Sequence, residues 1–252
     1  MFNSKIKLGV IGRQETFNRL NNSINSNDKT IWFHCASLGE YEQGFPLFVE
    51  LKKKYPNHKL VLSFFSPSGY EVKKANSIAD VVVYLPIDTK DNCKKFLDKI
   101  KPEIVVFIKS EIWPNYLNEI KKRNIKSILV CAIYNSSQMK YGLLKKAVLK
   151  FDYIFTQDEK SKDLFKSIGH NNVFNSGDTR FDRVSLSKTL NEDVDYIKEF
   201  LSEKECLIAG STWGKDHEIL TSYINHSKSN LKFIIAPHVI NKEEVNNLKS
   251  FI

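Results

Sequence analysis

The sequence lacks the features that would place it across a membrane or in an oxidising compartment. No stretch approaches the ~20 consecutive apolar residues that a membrane-spanning helix requires. Segment 1–14 has neither a long hydrophobic core nor a small-residue cleavage site, so no signal peptide is predicted. The four cysteines are scattered, with no CxxC pair and no metal-ligand spacing. This distribution favours a reducing cytosol and argues against a zinc site.

Two common nucleotide-binding signatures are also missing. There is no P-loop and no GxGxxG sequence, so ATP and NAD as ligands have no support. What is present is ordinary for a soluble globular protein: 252 residues, of which 42% are hydrophobic and 27% charged. A chain of this length forms one large domain or two modest ones.

The charge is strongly positive, with a formal net charge of +9. Such an excess favours anionic partners, namely phosphates, nucleic acid or an acidic membrane surface. Most basic clusters are interpreted as solvated helix faces, but segment 140–150 alternates lysine with apolar residues, as in helices that lie on anionic bilayers. Its members are Lys140, Lys145, Lys146 and Lys150 with Leu143, Leu144, Val148 and Leu149. Binding of nucleic acid rests on charge alone and ranks last.

Short apolar runs alternate with helical patterns along most of the chain. The runs are rich in Val and Ile without clean polar alternation, which is typical of a parallel sheet covered on both faces. The predicted strands are 30–34, 59–64, 81–84, 104–108, 127–132, 153–156 and 173–175. The predicted helices are 41–54, 69–77, 91–99, 113–123, 139–149 and 159–167. This order predicts a doubly wound α/β fold, in which ligands bind at the carboxyl ends of the strands.

A polar stretch after residue 183 indicates a domain boundary. We predict a first domain over 1–184 and a partial second Rossmann-like domain over 185–252, with strands at "CLIAG" and "LKFIIAP". Two strands leave an unpaired hydrophobic sheet edge and a thin core. We therefore expect a carboxyl-terminally shortened version of a two-domain protein.

Glu40 is the first candidate for chemistry, because it follows a strand and a small-residue turn in "HCASLGE". A carboxylate in the first turn of a helix often only caps it. Ser37 and Gly39 are nevertheless predicted to form a tight, exposed turn from which Glu40 could act as a general base on a substrate hydroxyl. Glu111, in "KSEIWPN", repeats the arrangement ahead of a helix that Pro114 opens; a capped helix with a buried Trp is the alternative.

Two further segments are predicted to bind anions. In "GDTRFDR", Asp178 and Arg180 form either a local salt bridge or a site in which the Arg holds a phosphate or carboxylate. In "AGSTW", Gly210 precedes Ser211 and Thr212, whose hydroxyls suit a phosphate at a helix N-terminus. His238 ends the next strand and, as a lone His, is more often structural than catalytic.

Taken together, these motifs resemble one family. "WFHCASLGE", "FFSPSGY", "LPIDT", "SEIWPN", "GDTRFDRV", "AGSTW" and "IIAPH" occur in the order and approximate spacing of the Kdo (3-deoxy-D-manno-octulosonic acid) transferases, over roughly residues 30 to 240. The resemblance implies a GT-B glycosyltransferase with the acceptor on the first Rossmann-like domain and the nucleotide sugar on the second.

The resemblance also implies the reaction and its place in the cell. Such an enzyme transfers Kdo from CMP-Kdo to a lipid A precursor, inverting the anomeric centre, with no cofactor and no metal. It works on the cytoplasmic face of the inner membrane, and this chain is expected to be peripheral to that anionic surface.

The site residues follow from the same resemblance. Glu40 falls on the general base and Glu111 on a second acid of the acceptor side, while Ser37, Gly39 and Ser68 fall in motifs expected to bind substrate. The positions matched to the donor turn, the hinge segment and the last strand are Gly210, Ser211, Thr212, Asp178, Arg180 and His238.

Three departures from the family leave alternatives open. The chain begins without the usual hydrophobic anchor, "IAPHV" replaces a pattern that carries an Arg, and the sequence ends within the nucleotide domain. The alternatives are a non-catalytic module that binds the acceptor, and another GT-B enzyme such as a nucleotide-sugar epimerase.

Overall fold

The computed structural model describes residues 4–75, 77–138, 142–189, 194–227 and 229–250, and these residues form two compact units. The first unit is Met1–Leu190 and the second is Asn191–Ile252. The division falls a few residues after the predicted boundary at 184, because a helix over Arg180–Thr189 continues across that point. The assignment of the two units to acceptor and donor stays a prediction.

The first unit is built on one sheet of seven parallel strands, which confirms the predicted α/β fold. Each predicted strand is present, and the observed ends differ by at most two residues. The strands are β1 Lys29–Cys35, β2 His58–Phe64, β3 Val81–Tyr84, β4 Pro102–Ile108, β5 Lys126–Ala132, β6 Tyr153–Thr156 and β7 Val173–Asn175. Their order across the sheet is β3-β2-β1-β4-β5-β6-β7.

Apolar side chains cover both faces of this sheet, as the unalternating strand sequences predicted. One hydrophobic cluster contains Trp32, Phe96 and Phe107. The cluster on the opposite face contains Phe33 and Phe64. Neighbouring positions of one strand, Trp32 and Phe33, thus point to different faces, because successive side chains of a strand alternate.

Helices surround the sheet, and most of them lie where the sequence predicted. In the first unit they are α1 Ser4–Gln14, α2 Thr16–Ser23, α3 Leu38–Lys54, α4 Pro67–Lys73, α5 Lys90–Ile100, α6 Pro114–Lys122, α7 Gly142–Val148, α8 Glu159–Ser167 and α9 Arg180–Thr189. Helices α1 and α2 were not predicted. Helix α3 begins three residues earlier than expected and runs through Pro46. Gly44 leaves room for the ring of Phe48 in the next turn of the same helix, which a Cβ would meet at 2.6 Å.

The basic amphipathic stretch is only partly a surface feature. Residues 139–141, and with them Lys140, lie outside the described residues. In α7 the side chain of Val148 is buried in the core, whereas Leu143 is 67% exposed beside the exposed Lys145 and Lys146. The predicted apolar stripe is therefore divided between the core and the solvent.

The second unit contains a two-stranded parallel sheet, β8 Cys206–Thr212 and β9 Lys232–Pro237. Its helices are α10 Ile197–Leu201, α11 Gly214–His226 and α12 Lys242–Ser250. Several large apolar side chains of this unit are exposed, among them Ile208, Ile219 and Ile240. The two predicted strands are confirmed, and the small sheet leaves much of its apolar surface uncovered.

The structure also describes the cysteines, the apolar character of the helices and the grouping of possible metal ligands. All four cysteines are free, and Cys35, Cys93 and Cys131 are buried. Within the described ranges, no helix combines the length and the apolar character needed to cross a bilayer. The same residues hold no group of three or more His, Cys, Asp or Glu side chains that could bind a metal ion.

Candidate active site

The strand order reverses between β1 and β4, and this switch point holds the two predicted acids. In open parallel sheets ligands bind at such a point, outside the carboxyl ends of the strands. Glu40 follows β1 in the first turn of α3, and Glu111 follows β4 just ahead of α6. The topology thus places both residues at the edge where a ligand is expected.

Glu40 is held by two side chains and not by the backbone. The Ser37 hydroxyl donates to Glu40 Oε2, and Lys109 Nζ lies 3.8 Å from Glu40 Oε1. Among the described residues no backbone N–H donates to this carboxylate, which argues against capping as its role. The side chain is 15% exposed, so one edge of it reaches solvent.

Gly39 occupies a different element from the one predicted. It lies in the first turn of α3 and not in a preceding turn, because the helix already begins at Leu38. A Cβ at Gly39 would have a single neighbour within 4 Å, Ser37 Oγ at 3.7 Å. The surface over this helix turn is therefore open.

Glu111 is anchored through one of its oxygens. Its Oε2 lies 3.1 Å from His34 Nε2 and accepts a 2.8 Å hydrogen bond from Trp113 Nε1. The Glu111 side chain is 14% exposed, whereas that of His34 is fully buried. Trp113 is partly buried and not fully buried as the alternative supposed, and it anchors the acid itself.

Both carboxylates act on the same neighbour, the thiol of Cys35 at the end of β1. Burial raises the pKa of Cys35 well above its usual value, and the charges of Glu40 and Glu111 raise it further. Burial and the two acids therefore keep Cys35 as a neutral thiol at the end of β1.

Lys109 is a residue of this site that the sequence analysis missed. It directly follows β4 and has a φ of 69°, a left-handed conformation that costs a non-glycine residue roughly 1–2 kcal/mol. Its backbone N–H donates to Val130 O at 2.8 Å, and its side chain turns toward Glu40. Lys109 also lines a cavity of about 870 Å³ together with residues that follow β5 and residues of α8. Polar members of that lining include Ser110, Asn135, Gln138 and Lys160.

Ser68 lies in the first turn of α4, and Glu40 lies in the first turn of α3. Ser66 N–H donates to Ala36 O at 2.7 Å, a hydrogen bond that connects the segments just before these two helices. The exposed Ser68 has its hydroxyl 3.0 Å from that of Ser66. Gly69 permits this approach, because a Cβ there would meet the Phe64 ring at 2.3 Å and Leu38 N at 3.0 Å.

Asp178 and Arg180 form the local salt bridge that was one of the two predicted outcomes. Arg180 Nε and Nη2 donate to Asp178 Oδ2 at 2.8 and 2.5 Å. The Arg180 guanidinium, more than any other neighbour, holds the pKa of Asp178 below its usual value. Gln43 of α3 donates to Asp178 Oδ1 at 3.0 Å, so the segment docks on the helix that carries Glu40. The Arg180 side chain itself is 69% exposed.

The remaining predicted residues lie together at the carboxyl ends of β8 and β9 in the second unit. The exposed Ser211 has a φ of 58°, and its hydroxyl lies 3.0 Å from His238 Nδ1. Gly210 is exposed, with no atom within 4 Å of a Cβ placed there. Thr212 is instead buried, with its hydroxyl 2.8 Å from His217 Nε2.

A side chain missed in that unit is Trp213. Its ring stacks on His238 at a centroid distance of 4.2 Å, and it is 58% exposed. The structure thus brings Ser211, His238 and Trp213 onto one surface and turns Thr212 away from it. The quoted "GSTW" motif contained the signal for this Trp, since an aromatic residue directly after a strand end is available for stacking.

The fold identifies a class of protein. The structure of UDP-GlcNAc 2-epimerase from Neisseria meningitidis bound to UDP-GlcNAc is similar over 88% of this chain and 69% of that one, with a TM-score of 0.62 and 17% sequence identity. The structure of MurG from Acinetobacter baumannii is similar over 89% of this chain and 62% of that one, with a TM-score of 0.51 and 8% identity. At these identities the likeness shows the fold alone, which is that of GT-B glycosyltransferases and epimerases.

The sequence then identifies the family. Residues 12–183 match the profile of 3-deoxy-D-manno-octulosonic-acid transferase (kdotransferase), and the chain belongs to this glycosyltransferase family. A 3-deoxy-D-manno-octulosonic acid transferase of Aquifex aeolicus is 28% identical over 232 residues, which are 90% of this chain and 60% of the relative. A bifunctional glycosyltransferase/methyltransferase of Fusobacterium nucleatum is 30% identical over 237 residues, 88% of this chain and 36% of the relative. The chain thus spans about a third to three fifths of the length of these two relatives.

Proposed function

We propose that this chain transfers Kdo from CMP-Kdo to a hydroxyl of a lipid A precursor, with Glu40 as the general base. The observation that carries this proposal is the placement of Glu40. Its carboxylate stands at the switch point of the sheet, in contact with Ser37 and Lys109 and in reach of solvent. Family membership supports the reaction class.

The proposed reaction is a single displacement at the anomeric carbon of Kdo. The acceptor hydroxyl gives its proton to the Glu40 carboxylate while its oxygen forms a bond to the anomeric carbon of Kdo. The bond from that carbon to the CMP phosphate breaks, and the electron pair leaves with CMP. A sugar hydroxyl is a poor nucleophile at neutral pH, which is why a positioned base accelerates such a step. The transfer inverts the anomeric centre and uses no metal in this proposal.

The acceptor is assigned to the cavity beside Lys109. At about 870 Å³ it is large enough for a sugar headgroup. Its lining combines hydroxyl and amide groups with the ammonium groups of Lys109 and Lys160 and the carboxylates of Asp158 and Asp163, a set that suits a polar sugar with several hydroxyls. Lys109 belongs both to this lining and to the surroundings of Glu40. Glu111 stands on the same edge and is proposed to bind acceptor hydroxyls.

The donor is assigned to the second unit. Ser211, at the carboxyl end of β8, has an exposed hydroxyl and precedes helix α11, so a phosphate there would meet the helix N-terminus. His238 and Gly210 complete the proposed surface. The hydroxyl of Thr212 is not included in the proposed donor site, because it is already hydrogen-bonded to His217 Nε2.

The membrane surface is the proposed location of the acceptor and hence of the enzyme. Helix α1 exposes Ile6, Val10 and Ile11, which with Lys7 line a groove of about 620 Å³. Apolar side chains beside a lysine suit an anionic bilayer on the cytoplasmic side. We expect the chain to sediment with vesicles that contain anionic lipid and to stay in solution with neutral ones; equal binding to both would contradict this part of the proposal.

A transfer assay tests the function directly. The chain is incubated with the tetraacylated lipid A precursor and either CMP-Kdo or a UDP-sugar, and the lipid product is resolved by mass spectrometry. We expect product from CMP-Kdo alone. Epimerisation of the UDP-sugar, or no lipid product with either donor, would contradict the proposal.

A second candidate, binding of the acceptor without catalysis, is favoured by one observation. The sheet of the first unit has a hydrophobic core on both faces. In the second unit Ile208 and Ile219 are about 70% exposed, so these side chains contribute little to a core. Calorimetry separates the candidates. Tight binding of CMP supports the transferase, and binding of acceptor vesicles without CMP binding supports the module.

A further inference from the structure

A continuous set of hydrogen bonds runs from the core of the first unit to Glu111. Trp32 Nε1 donates to Ser63 Oγ at 2.8 Å, and Ser63 Oγ lies 2.9 Å from His34 Nδ1. His34 Nε2 lies 3.1 Å from Glu111 Oε2, which also accepts from Trp113 Nε1. The residues come from β1, β2 and the segment after β4, so the sheet itself fixes their spacing.

The donors at the two ends fix the direction of these hydrogen bonds. An indole N–H can only donate, so Ser63 Oγ accepts from Trp32 and has its own proton left to give. The nearer acceptor is His34 Nδ1 at 2.9 Å, since Phe33 O lies at 3.4 Å. With Nδ1 accepting, the neutral imidazole carries its proton on Nε2 and donates it to the Glu111 carboxylate. The reverse tautomer would place a lone pair of Nε2 against a carboxylate oxygen.

The surroundings of His34 hold the ring in this orientation. Its side chain is fully buried, as are Trp32 and Ser63. The rings of Phe107 and Trp113 pack edge-on to the imidazole, with centroids at 5.9 and 5.5 Å. A ring so enclosed cannot swap its two nitrogens without breaking both hydrogen bonds, and leaving buried polar atoms unpaired is costly.

We propose that His34, set in its Nε2–H tautomer by Ser63, is a positioning residue that orients the Glu111 carboxylate toward the acceptor. Within the described residues, both hydrogen bonds of Glu111 go to Oε2, so Oε1 is the oxygen offered to a ligand. This inference rests on the proposed function for the identity of the ligand, but the hydrogen-bond arrangement exists in the resting protein.

A matched pair of substitutions separates positioning from packing. The amide nitrogen of Gln reaches about the place of imidazole Nε2, whereas the amide of Asn reaches only that of Nδ1. His34→Gln keeps a donor toward Glu111, and His34→Asn removes it while keeping a polar group toward Ser63. For transfer we expect kcat of H34N to fall about 100-fold, the effect of displacing a positioning group by ~1 Å. We expect H34Q to lose clearly less, and both to keep the wild-type KM for the CMP-linked donor.

Nuclear magnetic resonance gives a readout that does not require turnover. The ¹⁵N shifts of His34 report which nitrogen carries the proton, and the three Trp residues give only three indole N–H signals, of which Trp113→Phe identifies one. We expect a protonated Nε2 and an unprotonated Nδ1 in the wild type, and a Trp113 signal that moves in H34N but not in H34Q.

A proton on Nδ1, a doubly protonated ring, or a Trp113 signal that moves equally in the two variants would overturn the inference. Equal loss of kcat in H34N and H34Q at equal melting temperature would do the same. If the wild type shows no transfer, the proposed function fails, whereas the spectra still decide the role of His34 in holding Glu111.

Discussion

Gly69 offers the sharpest test of how the Glu40 turn is supported. The glycine lies in α4, and a Cβ there would meet two atoms of the Phe64 ring at 2.3 Å and Leu38 N at 3.0 Å. Phe64 is fully buried and cannot turn aside, and Leu38 N belongs to the first turn of the helix that carries Glu40. The substitution Gly69→Ala therefore forces a core ring or the Glu40 turn to move.

The size of the effect follows from two opposing contributions. Overpacking of a core by added carbon costs about 1–3 kcal/mol, and replacing a helical Gly by Ala contributes up to ~1 kcal/mol in the other direction. A net loss of about 1–2 kcal/mol corresponds to a fall in Tm of roughly 2–8 °C for a domain of this size. Transfer should fall as well, because Leu38 and Glu40 share one helical turn.

Gly39→Ala is the matched control, since it adds the same methyl group in the first turn of α3. There the nearest atom lies at 3.7 Å, an ordinary contact, so the Tm is expected to stay equal or to rise slightly. Both variants are compared with the wild type by thermal unfolding followed by circular dichroism. Equal Tm values for Gly69→Ala and the wild type, or an equal loss in Gly39→Ala, would refute the packing argument.

Two further predictions concern a backbone conformation and a buried imidazole. Lys109→Ala and Lys109→Gly both remove the ammonium beside Glu40 and should both lower transfer, but the Gly variant should be about 1 kcal/mol more stable because glycine suits the left-handed backbone; equal stability in urea unfolding would contradict this. Burial lowers the pKa of His170, whose Nε2 donates to Phe151 O. The folded state therefore binds its proton at lower pH than the unfolded chain, and the free energy of unfolding should fall as the pH drops below about 6.5. His170→Gln should lose that part of the dependence, and an unchanged dependence would show that His170 is not its source.

The fold was predictable because the strands of a buried parallel sheet carry a strong local signal. Runs such as "VVVY" and "IVVF" carry apolar residues on both faces, and each forms a strand of the parallel sheet, as expected. Helix α1 was missed because its apolar side chains are not confined to one buried face; Ile6, Leu8 and Val10 are exposed. Helix α2 was missed because it contains only two apolar residues, Phe17 and Leu20, too few for a periodic pattern. Gly12 in α1 instead marks a close approach to the Tyr84 ring, a contact with no signal in the local pattern.

The sequence predicted the two acids of the candidate site but not the residues that hydrogen-bond to them. Glu40 and Glu111 stand directly after strands, and the topology of the sheet brings adjacent strand ends together. His34 and Ser63 are separated by 29 positions and His34 and Glu111 by 77, so only the folded sheet reveals their hydrogen bonds. Likewise, sequence treats the hydroxyls of Ser211 and Thr212 alike. In the structure the pairing of β8 with β9 is irregular at Ser211, which has a φ of 58°, and Ser211 is exposed whereas Thr212 is buried.

The measurement that bears most directly on the central claim is the transfer rate of Glu40→Gln, with Glu50→Gln as control. Glu50 lies on the same helix, pairs only with the exposed Lys53 among the described residues, and loses the same charge when substituted. Because general base catalysis contributes about 10²–10⁴-fold, kcat for Kdo transfer should fall by that factor in Glu40→Gln and stay at the wild-type value in Glu50→Gln. A Glu40→Gln variant that folds normally and transfers Kdo at the wild-type rate would contradict the account.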